Sequence, residues 1–172
     1  MRQEQNGIGR YRKKDILTMK KNHTIPGKRE RRMLYLIIHA SHTPPGAACS
    51  SDRLPVSPHY YVRRNGTVER PVPRNDPGRH CPWFDLNSVG ICYEGGADKD
   101  GNTADTRTTL QRIAIFDLVT LFSNVFPGMK VKSVRHMTAG GTCTDPGYDV
   151  EREYGVWIEI PKYNLDQTED RR

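Results

Sequence analysis

The sequence predicts a single α/β (α+β) domain built on a central mixed β-sheet flanked by helices. Three observations carry this prediction. Short runs of large apolar and β-branched residues recur along the chain, the first being Met33-Leu34-Tyr35-Leu36-Ile37-Ile38-His39. One long stretch, from Thr106 or Thr108 to Val125, has helical spacing. That helix lies between two strand-like runs, which requires a parallel crossover for the pair.

The run ending at His39 is bounded by Arg31-Arg32 and by Ser41-His42-Thr43-Pro44-Pro45-Gly46, and reads as a strand buried on both faces. His39 then stands at the carboxyl end of a central strand, where ligand sites of α/β sheets open. The competing reading is a buried histidine bonded to backbone. Pro44, Pro45, Pro55 and Pro58 exclude a long helix from the following loop. His59–Arg63 and Thr67–Val72 flank Arg64-Asn65-Gly66, and Asn-Gly between two β-rich runs predicts a hairpin. After a second loop, Pro73 to Leu86, Ser88-Val89-Gly90-Ile91-Cys92-Tyr93 reads as a strand stopped by Gly95-Gly96.

The helix starts where a threonine can cap it, and Leu110, Ile113, Ala114, Leu118, Leu121, Phe122 and Val125 mark one face. Pro127-Gly128 ends it. Met129 to Arg135 reads as a strand beside His136, and Asp149 to Trp157 as a final helix.

The 172 residues suffice for one domain with a sizeable core. The net charge of +7 is unevenly spread. Residues 1–32 hold 11 of the 27 basic side chains and 3 of the 20 acidic ones, which leaves 16 basic against 17 acidic beyond them. The division expected is a basic N-terminal tail over 1–32, a domain over 33–160 and a polar C-terminal tail over 161–172. A basic tail favours an anionic polymer without choosing among nucleic acid, lipid and wall polymer. No segment approaches the roughly 18–20 apolar residues of a spanning helix, and no secretory signal is recognisable, because His39 breaks the apolar run early. The expected location is the cytoplasm, or the cell wall after release. Cys49, Cys81, Cys92 and Cys143 show no CxxC spacing, so reduced thiols are expected.

His39 and His136 stand at strand ends, and Asp145 follows His136 by nine residues. Two imidazoles with one carboxylate or thiolate are the donor set of a catalytic zinc site that keeps a position open for water. Cys143, two residues before Asp145, is the alternative ligand.

Four segments extend this reading: Ile37-Ile38-His39-Ala40-Ser41-His42-Thr43; His59-Tyr60-Tyr61-Val62-Arg63-Arg64-Asn65-Gly66-Thr67-Val68-Glu69; Asn87-Ser88-Val89-Gly90-Ile91-Cys92-Tyr93-Glu94-Gly95-Gly96; and Arg135-His136 with Asp145-Pro146-Gly147-Tyr148-Asp149. In this order, over roughly residues 34–157, they resemble the zinc-dependent N-acetylmuramoyl-L-alanine amidases of type 2, which include phage lysozyme-type amidases and peptidoglycan recognition proteins. The resemblance implies Zn2+ held by His39, His136 and Asp145. It implies a peptidoglycan or muropeptide substrate cut at the amide between the lactyl group of N-acetylmuramic acid and L-alanine. It also implies substrate contacts at His80 and Asn87, with His59 beside the site.

The departures are specific. Where phage-type members carry a catalytic tyrosine, this chain has Pro58; where anhydromuropeptide amidases carry a glutamate, it has Cys92; where both carry a lysine, it has Cys143. Strand alternation offers Tyr60 as a hydroxyl donor and Glu94 as a general base in their place, against the plainer readings of a core aromatic and a solvated carboxylate. The alternative function is a peptidoglycan-binding module of the same fold without catalysis. A nucleic-acid-associated protein is a third reading, resting on the basic tail alone.

Overall fold

In the computed structural model, which describes residues 32–138 and 143–155, the apolar run from Met33 becomes β1 (Tyr35–Ala40). The hairpin is β2 (Tyr60–Val62) and β3 (Val68–Glu69), followed by β4 (Ser88–Tyr93) and β5 (Lys130–Ser133). The helices are α1 (Thr109–Val125), α2 (Val134–Met137) and α3 (Val150–Tyr154). The five strands run in the order β3-β2-β4-β1-β5. β1 pairs in parallel with β4 and β5, β2 pairs in parallel with β4, and β3 is the antiparallel edge. The sheet is therefore mixed, as the sequence predicts. The crossover from β4 through α1 carries β5 past β1 to the far edge.

Side chains alternate across the sheet, and the alternation divides the molecule into two layers. Leu36, Ile38 and Ala40 of β1 join Tyr60, Val62, Val89, Ile91, Tyr93 and Val131 on one face. Ile115, Leu118, Val119 and Phe122 of α1 and Val150 and Tyr154 of α3 close over them. Each fully buried aliphatic side chain here contributes roughly 1.5–3 kcal/mol over an exposed one. The opposite face carries Ile37, His39, Gly90, Cys92 and Tyr61. Loops rather than helices cover it: Tyr61 Oη donates to Cys49 O at 2.8 Å, and the His80 ring lies on Gly90. The helices thus cover one face, and the proline-rich loops wall the other.

The hairpin closes as the Asn-Gly pair predicts. Arg63 N donates to Thr67 O, Gly66 N donates to Arg63 O, and Gly66 takes a φ of +82°, the left-handed residue of a three-residue turn.

α1 is locked to the sheet by its first turn. Thr108 Oγ1 accepts from Gln111 N while Gln111 Oε1 accepts from Thr108 N, a reciprocal capping box. The other end of the Gln111 amide donates to Val62 O at 3.1 Å and Glu94 O at 2.8 Å. Gln111 is fully buried and ties the helix start to the ends of β2 and β4. Gln111→Leu removes the box and the buried donor to Glu94 O, while Val62 O keeps the N–H of Glu94. It is expected to cost about 2–4 kcal/mol, read as a lowered urea midpoint; an unchanged midpoint would contradict this role.

Two boundaries differ from expectation. The last strand stops at Ser133, because the Ser133 hydroxyl accepts from His136 N and caps α2, so His136 stands on a one-turn helix rather than at a strand end. The final helix is described as Val150–Tyr154; Trp157, and both expected tails apart from Arg32, lie outside the described residues.

Candidate functional site

β1 delivers His39 to the loop-covered face, level with Cys92 of β4. His39 is 2% exposed, and its Nε2 is a buried nitrogen with no hydrogen-bond partner among the described residues. The competing reading of a histidine satisfied by backbone therefore does not hold for that nitrogen. The next residue connects the strand to the candidate carboxylate: Ala40 N donates to Asp145 Oδ1 at 2.6 Å. The Asp145 stretch is itself pinned. Tyr93 Oη donates to Pro146 O, Gly147 sits where a Cβ would meet Ala104 backbone at 2.7 Å, and the Arg107 guanidinium lies 3.2 Å from the centre of the Tyr148 ring. Arg107 is held in turn by Asp105 and Glu153.

The charges of this pair are unbalanced. Burial pushes the Asp145 carboxyl up to about 7, only partly offset by the Ala40 N–H. Burial, and then the neighbouring His80, His42 and His59, hold the His39 imidazole well below its usual range. Both shifts favour the uncharged form, as burial without a compensating opposite charge does. His42 Nε2 stands 3.9 Å from Asp145 Oδ1 with its side chain about half exposed, at the open rim.

His136 is aimed by groups that sequence reading missed. Its Nδ1 lies 2.8 Å from both Glu151 Oε2 and Ser133 Oγ. The Ser133 N–H and hydroxyl also donate to Glu151. With Nδ1 committed to the carboxylate, Nε2 is the nitrogen left for a ligand, the arrangement found around metal-bound histidines. The His136 side chain is 46% exposed. Among the described residues, no three His, Cys, Asp or Glu side chains already converge to grip a metal ion. No local spacing links Glu151 to His136, since they come from different helices.

Two more imidazoles line the floor. His80 stacks parallel to His39 at 5.8 Å between ring centres, and its edge meets His59 at 5.4 Å. The Ser88 hydroxyl donates to Phe84 O, so it accepts from His80 Nε2. His59 Nδ1 accepts from Gly90 N, so Nε2 carries the proton and donates to Asp76 O. Both rings are buried. Asn87 is exposed beyond the start of β4 and level with Leu34, which places it about 16 Å along the sheet from His39 at 3.3 Å per residue.

The description of the N-acetylmuramoyl-L-alanine amidase family matches residues 29–148. The chain belongs to that family. The endolysin of Klebsiella phage KP32 is 32% identical over 99 residues, covering 58% of this chain and 64% of that protein. The chain thus matches a little under two thirds of that relative's length. Among solved structures, the endolysin amidase LysCS from Clostridium intestinale superposes with a TM-score of 0.59 at 18% identity, over 76% of this chain and 86% of that one. An AmpDh3 from Pseudomonas aeruginosa, in complex with anhydromuramic pentapeptide, does so with a TM-score of 0.57 at 18% identity, over 73% and 59%. These likenesses show the fold.

Against amidase membership, the positions that depart from the family pattern can be located. Pro58 is buried at the entry to β2. Cys92 is wholly buried, and burial, then Asp145 and Cys49, push its thiol well above the usual range, so it supplies no base. Cys143 is a half-buried free thiol. The substitutes expected from strand alternation lie elsewhere. Tyr60 is on the helix-covered face, 3% exposed with its ring edge against Phe122 at 5.4 Å. This corrects its expected role, and Tyr61 is the tyrosine on the His39 face. Glu94 is buried with both oxygens taken: Oε1 accepts from Cys49 N, and Oε2 from Arg63 Nε and Arg64 N. Burial alone would raise its carboxyl, but these donors and the two arginine charges hold it below the ordinary range. That commitment makes it a poor general base and a tie between two walls of the site.

Proposed function

We propose that the chain is a zinc-dependent N-acetylmuramoyl-L-alanine amidase, hydrolysing the amide between the lactyl group of N-acetylmuramic acid and L-alanine in peptidoglycan or its fragments. One observation carries the reading: the buried Nε2 of His39 has no hydrogen-bond partner among the described residues, while the N–H of the next residue, Ala40, anchors Asp145. His39, Asp145 and His136 are the residues that would hold the metal, and the donor set suits zinc. Cys143 is the alternative to Asp145; the carboxylate is preferred because the structure ties it directly to the end of β1. When bound, zinc polarises a carbonyl and lowers the pKa of a bound water towards neutrality.

The protein's own groups do the positioning. Ala40 N–H and the pinned Pro146–Tyr148 stretch hold Asp145 in place. Glu151 and Ser133 fix the His136 ring. The buried His80 and His59 form an apolar-sided floor beneath His39, and His42 lines the rim where a substrate enters. Glu151→Ala is expected to weaken zinc affinity by about 10- to 100-fold, measured by competition with a chromophoric chelator. Unchanged affinity would separate Glu151 from the metal site.

The catalytic assignment is tested by products. Mass spectrometry of treated peptidoglycan should show free stem peptides beginning with L-alanine, and glycan strands of unchanged length. Cleavage between sugars would overturn it. The binding-module reading is favoured by one observation, the buried thiol of Cys92 where a relative's base would stand. Under that reading the protein sediments with the wall and releases nothing.

A further inference from the structure

Trp83 is a large side chain held out of the fold at a cost to the backbone. It is 96% exposed, and its φ is +73°. Phe84 N donates to Cys81 O at 3.0 Å, closing a turn with Pro82 second and Trp83 third. Proline followed by a left-handed residue is the type II pattern, and the third place is one that glycine fills without strain. Here tryptophan fills it, and at 96% exposure its ring gains almost no packing from the described residues to offset the strain. Non-glycine residues in this region mark places where function maintains what stability disfavours.

The turn is rigid and continuous with the candidate site. His80 N and Cys81 N both donate to Asp85 Oδ1 at 2.9 Å, the Ser88 hydroxyl holds Phe84 O, and the Phe84 ring meets Tyr35 edge-on at 5.6 Å. His80, three residues before Trp83, stacks on His39. The loop therefore runs along the helix-free face of the sheet, from the His39 end towards the strand starts. It displays Trp83 with the exposed Leu86 beside it. Asp85 is the one charged side chain between His80 and Asn87, so the patch suits a neutral ligand better than an anionic one.

We propose that Trp83 is a stacking platform for a pyranose ring of the glycan strand, a sugar subsite remote from the bond that is cut. The inference rests on the peptidoglycan reading above, and it makes the polymer, rather than a short fragment, the preferred ligand. An indole face offers a flat apolar surface to the C–H face of a neutral N-acetylhexosamine, and a pre-set ring binds with little loss of freedom.

The experiment measures binding alone, on chelator-treated full-length protein, with purified sacculi and with peptide-free glycan strands. Trp83→Gly is expected to keep or raise the urea midpoint while weakening sacculus binding by about tenfold or more. Trp83→Phe should recover part of the loss. In a Trp157→Phe background, glycan strands should shift the Trp83 emission to the blue. Equal binding by Trp83→Gly and wild type overturns the inference and leaves the peptidoglycan reading standing. Wild type that binds no sacculi overturns both. A blue shift with anionic vesicles but not glycan, or a self-association that Trp83→Gly abolishes without any glycan effect, assigns the surface to another partner and overturns it. So does a large fall in the midpoint of Trp83→Gly, which would show the ring packing on the fold.

Discussion

Replacing His39 by alanine is expected to lower stem-peptide release by more than about a thousandfold while the sheet stays folded. The two halves of this expectation come from the same atom. Nε2 of His39 has no hydrogen-bond partner inside the described protein, so its removal orphans no buried donor or acceptor. The loss to the fold is the ring's packing against His80, a cavity cost of roughly 1–3 kcal/mol. On the proposed reading, the loss to the site is one of the three residues that would hold zinc. Peptide release by mass spectrometry and a urea titration of the same preparation separate the effects. A folded His39→Ala protein with undiminished release would show that this histidine holds nothing the reaction needs.

Gly90→Ala is expected to destabilise the fold by about 3 kcal/mol. Gly90 has no unusual backbone angle; what it lacks is room. A Cβ there would lie 2.5, 2.6 and 2.7 Å from three atoms of the His80 ring. That ring is caught between His39, His59 and the Ser88 hydroxyl, and cannot swing aside without disturbing all three. The urea midpoint should fall sharply. A change below about 1 kcal/mol would show that His80 is free to move.

These two residues also show where sequence reasoning succeeds and where it stops. The strands and the long helix were legible because their apolar residues repeat at the period of the element: Leu36, Ile38 and Ala40 alternate, and α1 buries Leu118, Leu121, Phe122 and Val125, although Leu110 and Ile113, read onto the same face, are exposed. The Asn-Gly turn was legible because Gly66 alone satisfies its backbone angle cheaply. The face of an aromatic pair was not. Tyr60 and Tyr61 are both apolar and adjacent, and only the arrival of α1, with Phe122, decides which turns inward to the helices. Glu94 looked like a free strand-end carboxylate because its three donors come from Cys49, Arg63 and Arg64, one of them 45 residues away. Ser133 ending β5 by capping α2 is a four-residue event below the resolution of periodicity. The Ala40–Asp145 bond spans 105 residues. No spacing rule reaches that far, and only the resemblance to the amidases pointed to the pair.

The most direct test of the central claim is hydrolysis of purified peptidoglycan by one preparation in three states: as isolated, after chelation, and after one equivalent of zinc is returned. The expected result is stem-peptide release that chelation abolishes and zinc restores. Release that continues unchanged through chelation would contradict a zinc-dependent reaction. Absence of release in all three states, from protein shown to hold one zinc, would contradict catalysis and leave a wall-binding module on an amidase fold.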